Sequence, residues 1–399
     1  MTELAVDLSS PDSYTNGVPH GAFKQLRATS PVSWQPEVRG RGYWAVTRYQ
    51  DILTVLRSPA RYSSWRGGAL LADPPAEFLE KLREGMLNRD PPDHTVMRKL
   101  VNKAFNPRRV TELEARVRQH ARFLIDRVRA NGRCDFATDV AGEMPLFVIC
   151  EILGVPVEDR DALYALTARM FGTEHKDPAE ALRDGMAAAQ EMRTYGAELG
   201  RQKMVAPRDD LASDLLGAEI DGRRLTEGEF QAFFMLLFNA GSDTTRSLLC
   251  YGLDLLLERP QTLQRLRDDP SLLPTAIEEM LRYESPVIQF RRTATQDVEL
   301  GGQRIAEGDK VVVFFPSANR DESVFADSDT FDITRSPNDH IAFGYGTHFC
   351  LGAPLARLET KYVFEELLIK LHDIERAKPI EPARTNFIRS IRHLEITFT

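Results

Sequence analysis

Residues 226–258 read as one helix that is apolar on nearly every side, and this limits what the chain can become. Thr226 and Glu229 are spaced as a capping box, with Leu225 and Phe230 placed for the hydrophobic staple that accompanies it. Arg259-Pro260 ends the helix, because the residue before a proline is pushed out of helical geometry. At 1.5 Å per residue, about 33 residues reach roughly 50 Å. A helix that long with no polar face belongs in the centre of a large protein. The expected fold is therefore mainly α, and 399 residues are enough to surround such a helix.

The same period recurs elsewhere. Residues 109–130 set Val110, Leu113, Val117, Ala121, Leu124 and Val128 on one stripe before Asn131-Gly132 stops them. Residues 147–153 and 162–171 continue the helical pattern, 203–210 read as a polar break containing a proline, and Asp221-Gly222 as a turn. Strand signals are sparse: 43–46, a hairpin of 298–300 and 303–305 around Gly301-Gly302, and 311–315. Length alone would allow two or three domains, but no linker or internal repeat divides the chain.

A composition of 42% apolar and 28% charged residues is that of an ordinary globular protein. A net charge of −8 argues against a protein dedicated to nucleic acid. The chain lacks the run of roughly 18 apolar residues that a membrane span needs. Its first 14 residues, with Glu3, Asp7 and Asp12, lack the basic and apolar regions of a signal peptide. About the first 15 residues are expected to form a loose arm. Cys134, Cys150, Cys250 and Cys350 are too few for a disulfide scaffold and form no C-x-x-C pair. A reduced cytoplasm is the expected compartment.

Two stretches carry chemistry. In Ala240-Gly241-Ser242-Asp243-Thr244-Thr245 the long helix breaks its own rules. Glycine costs about 1 kcal/mol against alanine there, serine and threonine hydroxyls bond back to carbonyls, and Asp243 is a carboxylate in an apolar span. Such conflicts are expected at functional sites; a kinked core helix with Asp243 paired to an arginine is the plainer reading. The second stretch, Phe343-Gly344-Tyr345-Gly346-Thr347-His348-Phe349-Cys350-Leu351-Gly352, sets one cysteine on a glycine-rich loop before a helix-compatible run, 353–370. The unpaired N–H groups of a helix start lower a thiol's pKa and favour a metal-bound thiolate. The glycines let backbone approach a flat ligand.

With Phe, Gly, Gly, His, Cys and Gly at these offsets, the second stretch resembles the haem-binding loop of the cytochrome P450 family. The resemblance covers nearly the whole chain and implies one domain, residues 1–399, mostly helical with a small strand-rich lobe. It implies haem b (iron protoporphyrin IX) as cofactor and Cys350 as the iron ligand. Phe343 would shield the sulfur, His348 would reach a haem propionate, and Gly344 and Gly352 would shape the loop. A thiolate ligand favours O–O cleavage. Asp243 and Thr244 resemble the family's acid–alcohol pair, which handles protons and oxygen, although relatives often carry glutamate at the position of Asp243. Ala240 and Gly241 would leave room for dioxygen. His94 and Arg98, one turn apart after Asp90-Pro91-Pro92-Asp93, resemble the propionate-binding pair. Arg292 resembles a third contact, with Arg291 competing for that role. Glu279, Arg282 and Arg335 match the structural Glu-x-x-Arg trio; Ser328 stands between two aspartates where proline is usual.

Pocket residues follow from the same likeness: Val287 and Ile288 after the Glu-x-x-Arg helix, Phe387 and Ile388 in a C-terminal turn, and Met86 and Leu87 as a roof. These apolar groups suit a hydrophobic small molecule, and the surrounding stretches look most like bacterial members that hydroxylate steroids, terpenoids or branched lipids. With no flavin or iron–sulfur motif present, electrons are expected from a ferredoxin and its NAD(P)H-dependent reductase. Arg98, Lys99, Lys103, Arg108 and Arg109 offer either a docking face or a solvated helix end. The expected protein is a monomeric monooxygenase using O2; a peroxide-driven enzyme of the same fold and a non-catalytic haem sensor or carrier are the rivals.

Overall fold

A computed structural model describes residues 6–37, 40–104, 107–170, 177–220 and 222–399 of the chain, and its core is organised around the long apolar helix. That helix runs from Glu227 to Leu257. Its start is the expected capping box: Glu229 N–H donates to Thr226 Oγ1 at 3.2 Å and Thr226 N–H to Glu229 Oε2 at 3.0 Å. Every residue from 247 to 256 is buried. The helix packs against Glu143–Leu153, Pro178–Val205, Leu273–Tyr283 and Ala353–Lys370. Close approach needs a small residue at the crossing, since a Cβ on Gly252 would lie 2.8 Å from Met280 Sδ. Each leucine enclosed this way is worth about 2–5 kcal/mol against alanine, and the sum sustains a helix whose middle breaks helix propensity rules.

The stripe expected at 109–130 lies on the helix Pro107–Arg129, with Leu113, Val117, Ala121, Leu124 and Val128 buried; it packs against Ala353–Lys370. A second lobe is strand-rich. Its five-stranded sheet runs Val32–Gln35, Tyr43–Val46, Lys310–Phe314, Gln289–Ala294, Tyr62–Ser63 in spatial order. All neighbours pair antiparallel except Tyr43–Val46 with Lys310–Phe314. The hairpin Val298–Leu300 with Gln303–Ile305 turns through Gly301 and Gly302, both at positive φ, as a tight hairpin turn requires.

One expectation is corrected. The N-terminal stretch is docked rather than loose from its first described residues: Leu8 and Tyr14 are buried, and Asp12 pairs with Arg384. The polar break expected at 203–210 falls between the helices Pro178–Val205 and Leu211–Gly217, and it holds a buried ion pair, Lys203 with Asp210, whose ammonium also donates to Gly154 O at 3.0 Å. Pairing lets these two charged groups close off a helix junction.

The Glu-x-x-Arg trio anchors the segment leading to the cysteine loop. Arg282 grips Glu279 through two bonds of 2.7 Å, and neither side chain is exposed. Its remaining donors reach the carbonyls of Asn319, Ser328 and Thr330. Glu279 also accepts from Arg335, the Asp332 N–H and Asn338. The carboxylate and both guanidinium groups of this network are paired, which is what lets such a network fix a conformation, while Asn338 Oδ1 has no partner among the described residues. Ser328, in the place of the usual proline, contributes a carbonyl to it. Breaking one partner of such a buried pair costs about 3–5 kcal/mol. Glu279→Ala should lose that much in urea unfolding, whereas Asp12→Ala, at the solvent-exposed pair, should barely move the midpoint.

Candidate functional site

The cysteine loop is a tight reversal tied to itself. Cys350 N–H donates to Phe343 O at 2.9 Å, and Gly344 N–H to Ile341 O at 2.9 Å. Gly344 and Gly346 sit at φ +73° and +68°. A Cβ on Gly346 would lie 2.7 Å from Leu56 O, so this glycine meets protein backbone. Cys350 precedes the helix Ala353–Lys370, and its sulfur receives the Gly352 and Ala353 N–H groups. The expected lowering of the thiol pKa does not follow in the protein alone. Burial pushes Cys350 up, and the two N–H groups with Arg98 and Arg357 only partly oppose it. Low dielectric penalises the thiolate more than partial charges relieve it, so a bound metal cation would supply the missing compensation.

Around this loop the fold gathers two guanidinium groups and two imidazoles. His94 is buried, with its ring centroid 4.3 Å from that of His348. His94 Nδ1 has no hydrogen-bond partner, and Ser64 Oγ lies 3.4 Å from His348 Nε2. Burial, with help from Arg98 and Arg292, pushes His94 down to about 4. Burial also holds His348 well below the usual range, with Arg292, His94 and Arg98 adding to it. Arg98 donates to Phe349 O at 2.9 Å.

The two neighbouring arginines separate cleanly, because adjacent strand residues face opposite ways. Arg291 pairs with Asp73 at 2.7 Å. Arg292 is buried, among the described residues donates only to Arg291 O at 2.7 Å, and is pushed down to about 10 by burial. Among the described residues none of His94, Arg98, Arg292 and His348 has a carboxylate ion-pair partner. A buried guanidinium without a counter-anion is costly, and the orphaned His94 nitrogen points to the same lack. A haem supplies what is missing, two propionates and a cation for the thiolate, so the residues fit the group.

Behind the loop stands a cluster that the sequence did not reveal. The guanidinium carbon of Arg357 lies 4.6 Å from the Phe343 ring centroid. Arg357 forks onto Glu278 at 2.6 and 2.7 Å, and His340 Nε2 is 3.0 Å from the same carboxylate. Burial would raise Glu278, but Arg357 and His340 outweigh it and hold it at about 2. A lone arginine in Ala356-Arg357-Leu358-Glu359 reads as an ordinary helix face, and Glu278 is masked in sequence by Glu279 beside it.

The central helix opens one face at its middle. Leu237, Ala240, Gly241 and Thr244, spaced three and four apart, keep accessible surface, and Ala240 is exposed. Thr244 Oγ1 donates back to Ala240 O at 2.6 Å, leaving its lone pairs free to accept. Burial pushes Asp243 up, and Arg246, 3.9 Å away, opposes it. Arg246 is itself tied to the carbonyls of Ile391 and Arg392. The arginine partner anticipated for Asp243 therefore exists, at the margin of ion-pair distance. The Cβ direction of Gly241 meets Ile149 Cδ1 at 2.9 Å, so its missing side chain makes room for a neighbouring helix.

The expected pocket residues divide. Leu87, Val287, Phe387 and Ile388 keep accessible surface, and Val287 bridges to Ile388. Met86 instead belongs to the large core, and Ile288 is fully buried with Leu8, Phe23 and Phe314. Phe290, which the sequence reading passed over, is partly accessible with its ring 5.4 Å from Phe387. Of the basic run near Arg98, the side chains of Lys103, Arg108 and Arg109 lie outside the described residues.

The family model described as Cytochrome P450 matches residues 12–372. A methyl-branched lipid omega-hydroxylase of Mycobacterium tuberculosis is 38% identical, over 99% of this chain and 95% of its own length. Linalool 8-monooxygenase of Pseudomonas putida is 36% identical, over 98% of each. The structure of Mycobacterium marinum cytochrome P450 CYP268A2 in complex with pseudoionone superposes with a TM-score of 0.91 at 37% identity, covering 99% of this chain and 98% of that one.

The geometry sets two tests. A charge-assisted hydrogen bond to a carboxylate is worth about 1.5–3 kcal/mol. Arg292→Leu should therefore lose haem to a scavenging apo-globin about ten- to a hundredfold faster, and Arg291→Leu should retain it while losing thermal stability. The stability that Glu278 contributes is complete above its ordinary value near pH 4.5 and drains as pH falls toward 2. Glu278→Gln should show a shallower loss of unfolding free energy across that window.

Proposed function

Because the chain belongs to the cytochrome P450 family and is one of its monooxygenases, we propose that it uses haem b to place one atom of O2 into a hydrophobic small molecule. The observation that carries this reading is a buried thiol on the cysteine loop together with Arg292 on the strand Gln289–Ala294, which among the described residues lack the partner charges that a haem provides. When bound, the haem iron supplies the oxygen activation that no side chain offers.

The chain's own residues do the rest. Cys350 would hold the group by its sulfur as a thiolate, its proton passing to solvent on binding, and Phe343, packed in the same loop, would help exclude water. His94, Arg98, Arg292 and His348 take the propionates. Asp243, raised by burial, is suited to carry a proton inward, and Thr244, with its lone pairs free, is suited to accept and position it. Ala240, Val287, Phe290, Phe387, Ile388 and Leu87 line the substrate side. Terpenoids, branched lipids and steroids are the proposed substrate class, supported by the lipid and linalool named for the relatives and by these apolar lining groups. Electrons are proposed to come from a ferredoxin with its NAD(P)H-dependent reductase, and the chain to work as a monomer in the cytoplasm. Among the described residues no helix is long and apolar enough to cross a membrane.

A titration of the ferric protein with terpenes, branched fatty acids, steroids and aromatic acids tests the substrate class. A low-spin to high-spin shift confined to one of the first three supports it; a shift with aromatic acids alone overturns it. For the proton roles, Thr244→Ala should consume NAD(P)H at a similar rate while product per electron pair falls severalfold and peroxide accumulates. Unchanged coupling would remove Thr244 from the mechanism.

A further inference from the structure

We propose that Arg357 and Glu278 form a charge pair that sets how readily the haem held by Cys350 accepts an electron, a role that rests on Cys350 being the haem ligand. Four side chains form a closed ring. His340 and Phe343 lie on the segment entering the loop, Glu278 on the helix Leu273–Tyr283, and Arg357 on Ala353–Lys370. Ala342 N–H donates to His340 Nδ1 at 3.2 Å, which leaves the ring proton on Nε2. His340 therefore donates to Glu278 Oε2 at 3.0 Å. Glu278 takes the planar fork of Arg357, and the guanidinium lies against Phe343. Phe343 in turn meets Phe349 edge-on at 6.3 Å and accepts the Cys350 N–H through its carbonyl.

The ring orients the pair. Its positive member faces the sulfur's loop: Arg357 is held protonated first by Glu278, with Cys350 adding to this, and it favours the Cys350 thiolate in turn. Its negative member is fixed by His340 as well as by Arg357. The buried structural network nearby is anchored by Glu279, not Glu278. Glu278 and Arg357 stay partly exposed at 29% and 39%, so solvent screens part of what the pair contributes to stability. Their position beside the ligand loop gives them leverage of another kind, because charges outside the ligands tune a metal's potential. A positive charge near the thiolate reduces the electron density it donates and favours the reduced iron; the carboxylate behind it moderates that effect.

The pair makes opposite predictions for its two members, which a merely structural role does not. Haem-loaded wild type, Arg357→Gln, Arg357→Lys, Glu278→Gln and the Arg357→Gln/Glu278→Gln double variant would be titrated with dithionite under redox-indicator control. The ferrous–carbon monoxide band of each reports whether the thiolate ligand is intact. Arg357→Gln should shift the midpoint potential negative and Glu278→Gln should shift it positive. Arg357→Lys should stay near wild type because the charge survives, and the double variant should return toward wild type. Equal potentials throughout, or shifts of one sign in both single variants, would overturn the proposal while leaving the haem-thiolate reading in place. A wild-type protein without the thiolate band would overturn that reading, and the proposal with it.

Discussion

Charge out of balance in a dry interior governs this structure. The protein alone buries a thiol whose ionisation it opposes, and an arginine, Arg292, which has no carboxylate within ion-pair distance among the described residues. Neither state is comfortable, since each displaced charge costs several kcal/mol unless paired. A dianionic ligand with a cationic centre relieves both at once. Much of the surrounding fold holds the two halves of that imbalance apart and in register: the Glu279–Arg282 network behind the loop, the sheet that splits Arg291 from Arg292, and the start of Ala353–Lys370.

The central helix meets a second demand. Its C-terminal half is enclosed all round, yet its middle contains a glycine, two back-bonding hydroxyls and an aspartate. The packing of its apolar parts tolerates this local cost, which is the pattern expected where function outweighs stability. Asp243 is balanced between burial and Arg246, and Arg246 is anchored to the C-terminal strand Ile391–His393. The titration of that carboxylate is thus coupled to a distant part of the chain.

What could be read from sequence was local. The cysteine loop, the capping box and the Glu-x-x-Arg spacing each lie within about a dozen residues, and their geometry follows from short-range rules. What could not be read depended on distant partners. Strand alternation points Arg291 and Arg292 opposite ways, but which of them meets a carboxylate depends on the position of Asp73, far away in sequence. Ile288 and Met86 resemble their pocket-lining neighbours in composition, but tertiary packing turns both into the core. The N-terminal stretch looked solvated because its contacts, Arg384 and Asn386, lie at the other end of the chain. The thiol was expected to be acidified by a helix start, a correct local effect that burial overrides.

The account stands or falls on charge compensation, and the most direct measurement compares two ligands that differ chiefly in the charge of their propionates. The haem-free protein would be titrated with haem and with its dimethyl ester, whose propionates are masked. The account predicts that the ester binds at least about tenfold more weakly, and that Arg292→Leu narrows the difference. Equal affinity for the two, in wild type and variant alike, would contradict it.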